Sequence, residues 1–290
     1  MESRIVKATY SYSNIDGLIP GVRGQRAFPT PMFRDSDPFL MLDHIGPQKV
    51  GANFRLNGDG HDHPHGGFET ITFMFEGGMD HRDSLGNRAT LESGSVQRMN
   101  AGSGIIHGGD MKSDPGTERF HEMQLWVNNP AEEKMSEPEI HNVSDSQIPS
   151  LKEGNLNLRV VAGQLNGIEG PIKTKATTHI GHLISSENGG ELEVNGLKES
   201  DRVMVYVLEG SLWVGDHKLS EFDLAELSFG ETIDIRTEGY AQALILAGTP
   251  LNESVVFGGP FVMNSEEEIQ QAYEDYNSGR FGSISLGKSA

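Results

Sequence analysis

Cysteine is absent from all 290 residues, so disulfides, thiolate metal ligands and a thiol nucleophile are excluded together. Basic residues are outnumbered. The 23 Lys and Arg face 42 Asp and Glu, and the formal charge of -19 repels phosphate backbones and anionic membrane surfaces. There is no basic stripe of the kind a direct nucleic-acid binder carries. No apolar run approaches the about 20 residues a membrane helix needs. The segment from Met1 to Lys7 lacks the apolar centre of a signal peptide, so a cytoplasmic protein is expected. Also missing are a Gly-x-Ser-x-Gly elbow, a Walker A run and a Gly-x-Gly-x-x-Gly loop, which removes the commonest hydrolase and nucleotide-binding readings.

Glycine, by contrast, is abundant: 36 glycines with 13 prolines imply many turns and favour a β-rich chain. From Phe68 to Phe75 the side chains alternate, with Glu69, Ile71, Phe73 and Phe75 on one face and Thr70, Thr72 and Met74 on the other. Turns are expected at Glu76-Gly77-Gly78 and again from His81 to Asn87, followed by another strand around Leu91 to Met99. The stretch from Val203 to Gly210, with its turn at Gly215 and the strand after Leu219, repeats this grammar, so a duplicated antiparallel β-domain is expected. The organisation predicted is a first domain over 1–130, a polar, proline-bearing linker over 131–150, and a second domain over 151–290. Near the end, Ser265 and Glu268 form a capping box, predicting a helix over 265–277 closed near Gly279, with Ile269, Ala272, Tyr273 and Tyr276 on one face.

Only the first half carries a histidine cluster. His61, His63 and His65 fall within five residues, and His107 ends the glycine-rich run from Ala101. A His-x-His pair on a strand aims both imidazoles to one side, and a third from a distant segment completes one face of a coordination sphere. Imidazole donors suit Fe, Mn, Co, Ni, Cu or Zn. His61, beside the turn at Gly58 to Gly60, is read as solvent-facing or as an outer support; the remaining histidines, His81 among them, are read as surface or hydrogen-bonded. Glu69 shares the parity of His63 and His65 if the strand runs unbroken through Gly66-Gly67. Glu69 and Asp110 are the candidate carboxylates, either of which could instead serve a salt bridge or a turn.

Several of these segments resemble the pirin family: Asp62 to Thr70 (DHPHGGFET), Ala101 to His107 (AGSGIIH), Gln124 to Asn128, Gly259 to Asn264, and Asp37 to His44. The resemblance runs over nearly the whole chain. It implies an all-β fold of two cupin-type antiparallel β-barrels, with one divalent transition metal, Fe(II) first and Mn, Ni, Cu or Zn as alternatives, in the N-terminal barrel only. The ligands it implies are His63, His65, His107 and a Glu two residues further on. Position 109 is Gly here, so Asp110 in the Glu role, Glu69, or water completes the set. The activity implied is that of a quercetin 2,3-dioxygenase, opening a flavonol with O2 and releasing carbon monoxide, with Asp110 or Glu69 taking the hydroxyl proton. The alternative implied is a non-catalytic iron-binding redox sensor that binds protein partners.

Overall fold

The computed structural model describes residues 2–56 and 62–284, so His61 and the turn expected at Gly58 to Gly60 lie outside it. Strands account for most of the described chain, with a single α-helix among the described residues near the C-terminal end, which agrees with the all-β expectation. No helix among them is long and apolar enough to cross a membrane.

The chain divides into two compact units. One gathers Met1–Asn14, Gln25–Asp43 and Ser146–Leu251; the other gathers Ile15–Gly24, His44–Asp145 and Asn252–Ala290. In the first unit the long strand Arg202–Val214 lies between Leu224–Leu227 and Ala241–Gly248, and Thr178–Ser185 and Leu156–Ala162 follow beyond. Alternation along Arg202–Val214 sends Val203, Val205 and Val207 into an aliphatic core with Leu158, Val160, Ala243 and Ile245. Each such Val, Leu or Ile contributes about 1.5–3 kcal/mol by leaving water. The strand Val6–Tyr10 pairs with Leu224–Leu227, and the buried Arg4 guanidinium before it donates to the carbonyls of Ser228 at 2.7 Å and Lys198 at 2.6 Å.

The second unit holds the histidine cluster. Phe68–Glu76 runs between Val96–Asn100 and Arg119–Asn128, and Glu139–Val143 pairs with the outer side of Val96–Asn100. A separate sheet is built around Ile105–Lys112, which pairs with His63–His65 and with Gly78–Asp83. The chain therefore changes sheets between His65 and Phe68. Gly67 makes the change possible: its φ is +85°, and a Cβ there would stand 2.0 Å from the Val262 carbonyl oxygen. This overturns the unbroken strand considered through Gly66-Gly67, and the parity of His63 and His65 does not carry over to Glu69.

Two local expectations shift in detail. The segment from His81 continues as strand to Asp83, and the turn begins only afterwards, where the Asp83 carboxylate accepts from the backbone N–H groups of Leu85 at 2.9 Å and Asn87 at 3.0 Å. The helix is Glu266–Asn277, with Ser265 as N-cap and both halves of the capping box formed. Ile269 and Ala272 are buried as expected, whereas Tyr273 is 40% exposed, its hydroxyl donating to the Gly258 carbonyl at 3.1 Å.

Candidate metal centre

Cross-strand pairing sets the geometry. His107 lies directly opposite His63, and Ile105 opposite His65, so the two segments present their imidazoles to one side of the sheet. One donor nitrogen from each of His63, His65 and His107 falls within 4.8 Å of the others. Ring centroids are 4.4 Å apart for His63 and His107, 4.7 Å for His63 and His65, and 5.1 Å for His65 and His107. His65 and His107 are buried, while His63 is exposed and marks the open side.

The protonation states suit a cation. His65 Nδ1 sits 3.2 Å from the Pro260 carbonyl. A carbonyl can only accept, so Nδ1 carries the hydrogen and Nε2 keeps its lone pair. That Nε2, like His107 Nε2, is buried with no hydrogen-bond partner. Burial, reinforced by His63, lowers the His65 pKa to about 3, and burial likewise holds His107 well below the ordinary histidine value. Two buried, neutral, unpartnered acceptors are costly unless something fills the space between them. Three imidazole nitrogens so arranged fit a first-row divalent ion.

The two candidate carboxylates stand elsewhere. The register from His107 to Lys112 against Gly78–Asp83 runs one to one, without a bulge. Three residues beyond His107, Asp110 therefore points to the opposite face, where its carboxylate lies 3.1 Å from Arg82 Nη1. Arg82 also holds Asp62, at 3.0 Å. Glu69 is fully buried and accepts from Arg98 Nε at 2.6 Å, and Arg98 reaches Glu139 at 2.7 Å. Among the described residues, no carboxylate joins the three histidines in that close group. Position 109, on the His107 face, is Gly, and a Cβ there would meet Met79 Cγ at 2.9 Å.

Further residues surround the trio, and of these His81, Phe68 and Lys134 were not site candidates from the sequence. His81 is buried, with its ring centroid 5.7 Å from that of His107 and its Nε2 3.1 Å from Asp83 Oδ2. Its His-x-Asp spacing was the available signal, hidden because the segment read as a turn. Trp126 and Phe68 rings flank His65 at 5.3 and 5.1 Å and lie 4.1 Å from each other. Lys134 is 2% exposed, and its ammonium donates to Gly67 O at 2.9 Å, Asn128 Oδ1 at 2.8 Å and Val262 O at 3.0 Å. It ties the turn after His65 to the segment that carries Pro260. Burial lowers its pKa to about 8.

Residues 21–127 match the family model Pirin, and residues 183–282 match the Pirin C-terminal cupin domain. Over 279 residues the chain is 35% identical to a pirin-like protein of Caulobacter vibrioides, covering 96% of this chain and 98% of that one. The chain belongs to the pirin family. Its two cupin domains account for the strand-rich architecture. The crystal structure of a quercetin 2,3-dioxygenase from Acinetobacter baumannii superposes on this pirin with a TM-score of 0.87 at 31% identity, covering 97% of this chain and 99% of that one. The Escherichia coli pirin YhhW, crystallised with nickel(II), shares the fold at a TM-score of 0.63 and 19% identity, covering 84% of this chain and all of that one.

Proposed function

We propose that this pirin is a metal-dependent dioxygenase that opens a flavonol-type ring with O2 and releases carbon monoxide, with His63, His65 and His107 as the metal ligands. The observation that carries the reading is the trio of imidazole donors within 4.8 Å, two of them buried and unpartnered at Nε2. Likeness over nearly the full chain to a quercetin 2,3-dioxygenase supports the reaction class. A divalent ion, Fe(II) in this reading, with Mn, Ni, Cu or Zn accepted by the same donors, would supply Lewis-acid polarisation of the substrate hydroxyl and access to O2 chemistry.

The chain's own contribution is orientation and a dry wall. Pro260 fixes the His65 tautomer. Half-buried Trp126 directs its indole N–H to Gln124 Oε1 at 2.9 Å, and with Phe68 lying 4.1 Å from one side of its ring, the other side is left for apolar contact. A planar aromatic substrate stacking there would lie beside His65, which the Trp126 ring approaches edge-on at 5.3 Å. The alternative, a redox-sensing protein without turnover, calls for a coordination shell closed to substrate; the exposed edge at His63 supports the open one. A net charge of -19 supports a small-molecule or protein partner over nucleic acid.

The test is metal-dependent turnover. Stripped protein is reloaded with Fe(II), Mn(II), Ni(II) or Cu(II), and quercetin absorbance is followed together with O2 uptake. The double variant His63→Ala, His65→Ala is the control. Saturable loss of quercetin that requires both metal and the two histidines is expected. Stoichiometric metal binding with no turnover would refute the dioxygenase and favour the sensor.

A further inference from the structure

The unit that holds the histidine trio is completed from the far end of the chain. The segment Asn252–Ala290 groups with that unit, although Ser146–Leu251 before it belongs to the other. Val256–Gly258 and Phe261–Met263 pair as a hairpin, and the helix Glu266–Asn277 packs on it through Ile269 and Ala272. This hairpin reaches the first ligand segment. Phe261 bridges to Gly66, the Val262 N–H donates to the Gly66 carbonyl at 3.1 Å, and the Pro260 carbonyl orients His65. Beyond the helix lies Phe281, 6% exposed, whose ring meets Phe261 edge-on at 5.8 Å and Tyr276 at 5.8 Å. The same ring rests on the second ligand segment: a Cβ on Gly104 would stand 2.1 Å from a Phe281 ring carbon. Ile106, next to His107, packs against this cluster as well. Successive side chains on a strand point to opposite faces, so the cluster backs the strand whose front carries His107.

We propose that Phe281 is a positioning residue of the metal centre, acting on His65 and His107 together, so that docking of the C-terminal segment and metal occupancy are coupled. This rests on the metal reading above. A phenyl ring offers no donor atom, so its part is to hold other groups in place. It packs on Gly104, three residues before His107, and on Phe261, one residue after Pro260. Interiors are close-packed, and emptying the volume of that ring removes support from both places at once. Phe261 is then free to move, and with it the carbonyl that fixes the His65 tautomer; the turn leading into His107 loses its neighbour. Groups that orient metal ligands from outside are worth about 10–100-fold in metal affinity. Coupling of this kind is reciprocal. The factor by which the docked segment tightens metal binding is the factor by which bound metal holds the segment down.

The experiment measures Co(II) affinity by chelator competition, with the visible spectrum of the bound ion, in full-length wild type, Phe281→Ala, Phe281→Leu and Val143→Ala. Val143 is 2% exposed on Glu139–Val143, which pairs with Val96–Asn100 and with neither ligand strand, so its truncation controls for general loss of stability. Phe281→Ala is expected to bind Co(II) about tenfold or more weakly than wild type, with an altered spectrum. Phe281→Leu, which refills most of the space, and Val143→Ala should stay within about threefold of wild type. Wild-type affinity in Phe281→Ala, or an equal loss in Val143→Ala, would overturn the inference and leave the metal reading standing. Wild type that takes up no Co(II) would overturn both. Should Phe281→Ala fail to fold, hydrogen exchange of wild type decides. Saturating Co(II) should slow exchange in Glu266–Asn277 about tenfold more than in Glu139–Val143. Equal slowing in the two elements would overturn the inference.

Discussion

Replacing Lys134 with Met keeps the length of the side chain and removes its charge and three donors. In the folded protein those donors reach Gly67 O, Asn128 Oδ1 and Val262 O at 2.8–3.0 Å from a position only 2% exposed. Hydrogen bonds to a charged group contribute about 1.5–3 kcal/mol each, so their joint loss is gross about 5–9 kcal/mol. Part of this is recovered, because burying the ammonium is unfavourable. The fall in its pKa from 10.5 to about 8 corresponds to about 3 kcal/mol. The net loss expected is about 2–6 kcal/mol, read as a lower urea midpoint of the metal-free protein. The effect should also reach the metal. Gly67 lies two residues after His65, and Val262 two after Pro260, the acceptor for His65 Nδ1. Freeing both carbonyls loosens the frame that orients that imidazole, and outer supports of this kind are worth about 10–100-fold in metal affinity. A chelator competition titration measures it. If stability falls as expected but metal affinity is unchanged, Lys134 supports the fold alone, and the link from the Gly67 turn to His65 is refuted.

Two further perturbations separate structural from functional charge. Glu69→Gln should weaken the buried ion pair with Arg98, at a cost of about 3 kcal/mol because Glu139 remains as a partner, while bound metal per chain stays the same. Loss of metal without loss of stability, by elemental analysis and urea melts, would return Glu69 to the site. Acid should also destabilise the fold through histidines remote from the trio. His44 and His182 are fully buried and held to a pKa of about 3, against 6.5 when unfolded. Below pH 6.5 the unfolded chain takes up protons that the folded one refuses, so stability falls as pH falls, by about 4 kcal/mol for the pair at pH 5. A urea midpoint unchanged between pH 7 and pH 5 would contradict this.

What the sequence disclosed and what it hid divide along one physical line. Alternation and capping act within a few residues, so the strand Phe68–Glu76, the helix Glu266–Asn277 and its Ser265 cap could be read directly. The His63, His65 and His107 trio was legible because a His-x-His pair has one geometry on a strand, wherever that strand pairs. The carboxylates were another matter. Asp110 was a candidate because the resemblance calls for a Glu where position 109 is Gly, so that a one-residue insertion would put Asp110 in its role, but without such a bulge an offset of three from His107 turns the side chain to the other face. Only the register against Gly78–Asp83 establishes that Gly108-Gly109 contains no bulge and that Asp110 belongs with Arg82. Glu69 pairs with Arg98 instead of joining the trio for a related reason: the sheet change at Gly67 is fitted to the Val262 carbonyl, about two hundred positions away in the chain, which no local pattern encodes. His81 was hidden by the reverse error, a strand end mistaken for a turn. In each case the misreading concerned which face a side chain occupies, and that depends on partners distant in sequence. The charge of the metal centre depends on the same thing. The chain has 42 acidic residues, yet no described one joins the close group of three imidazoles.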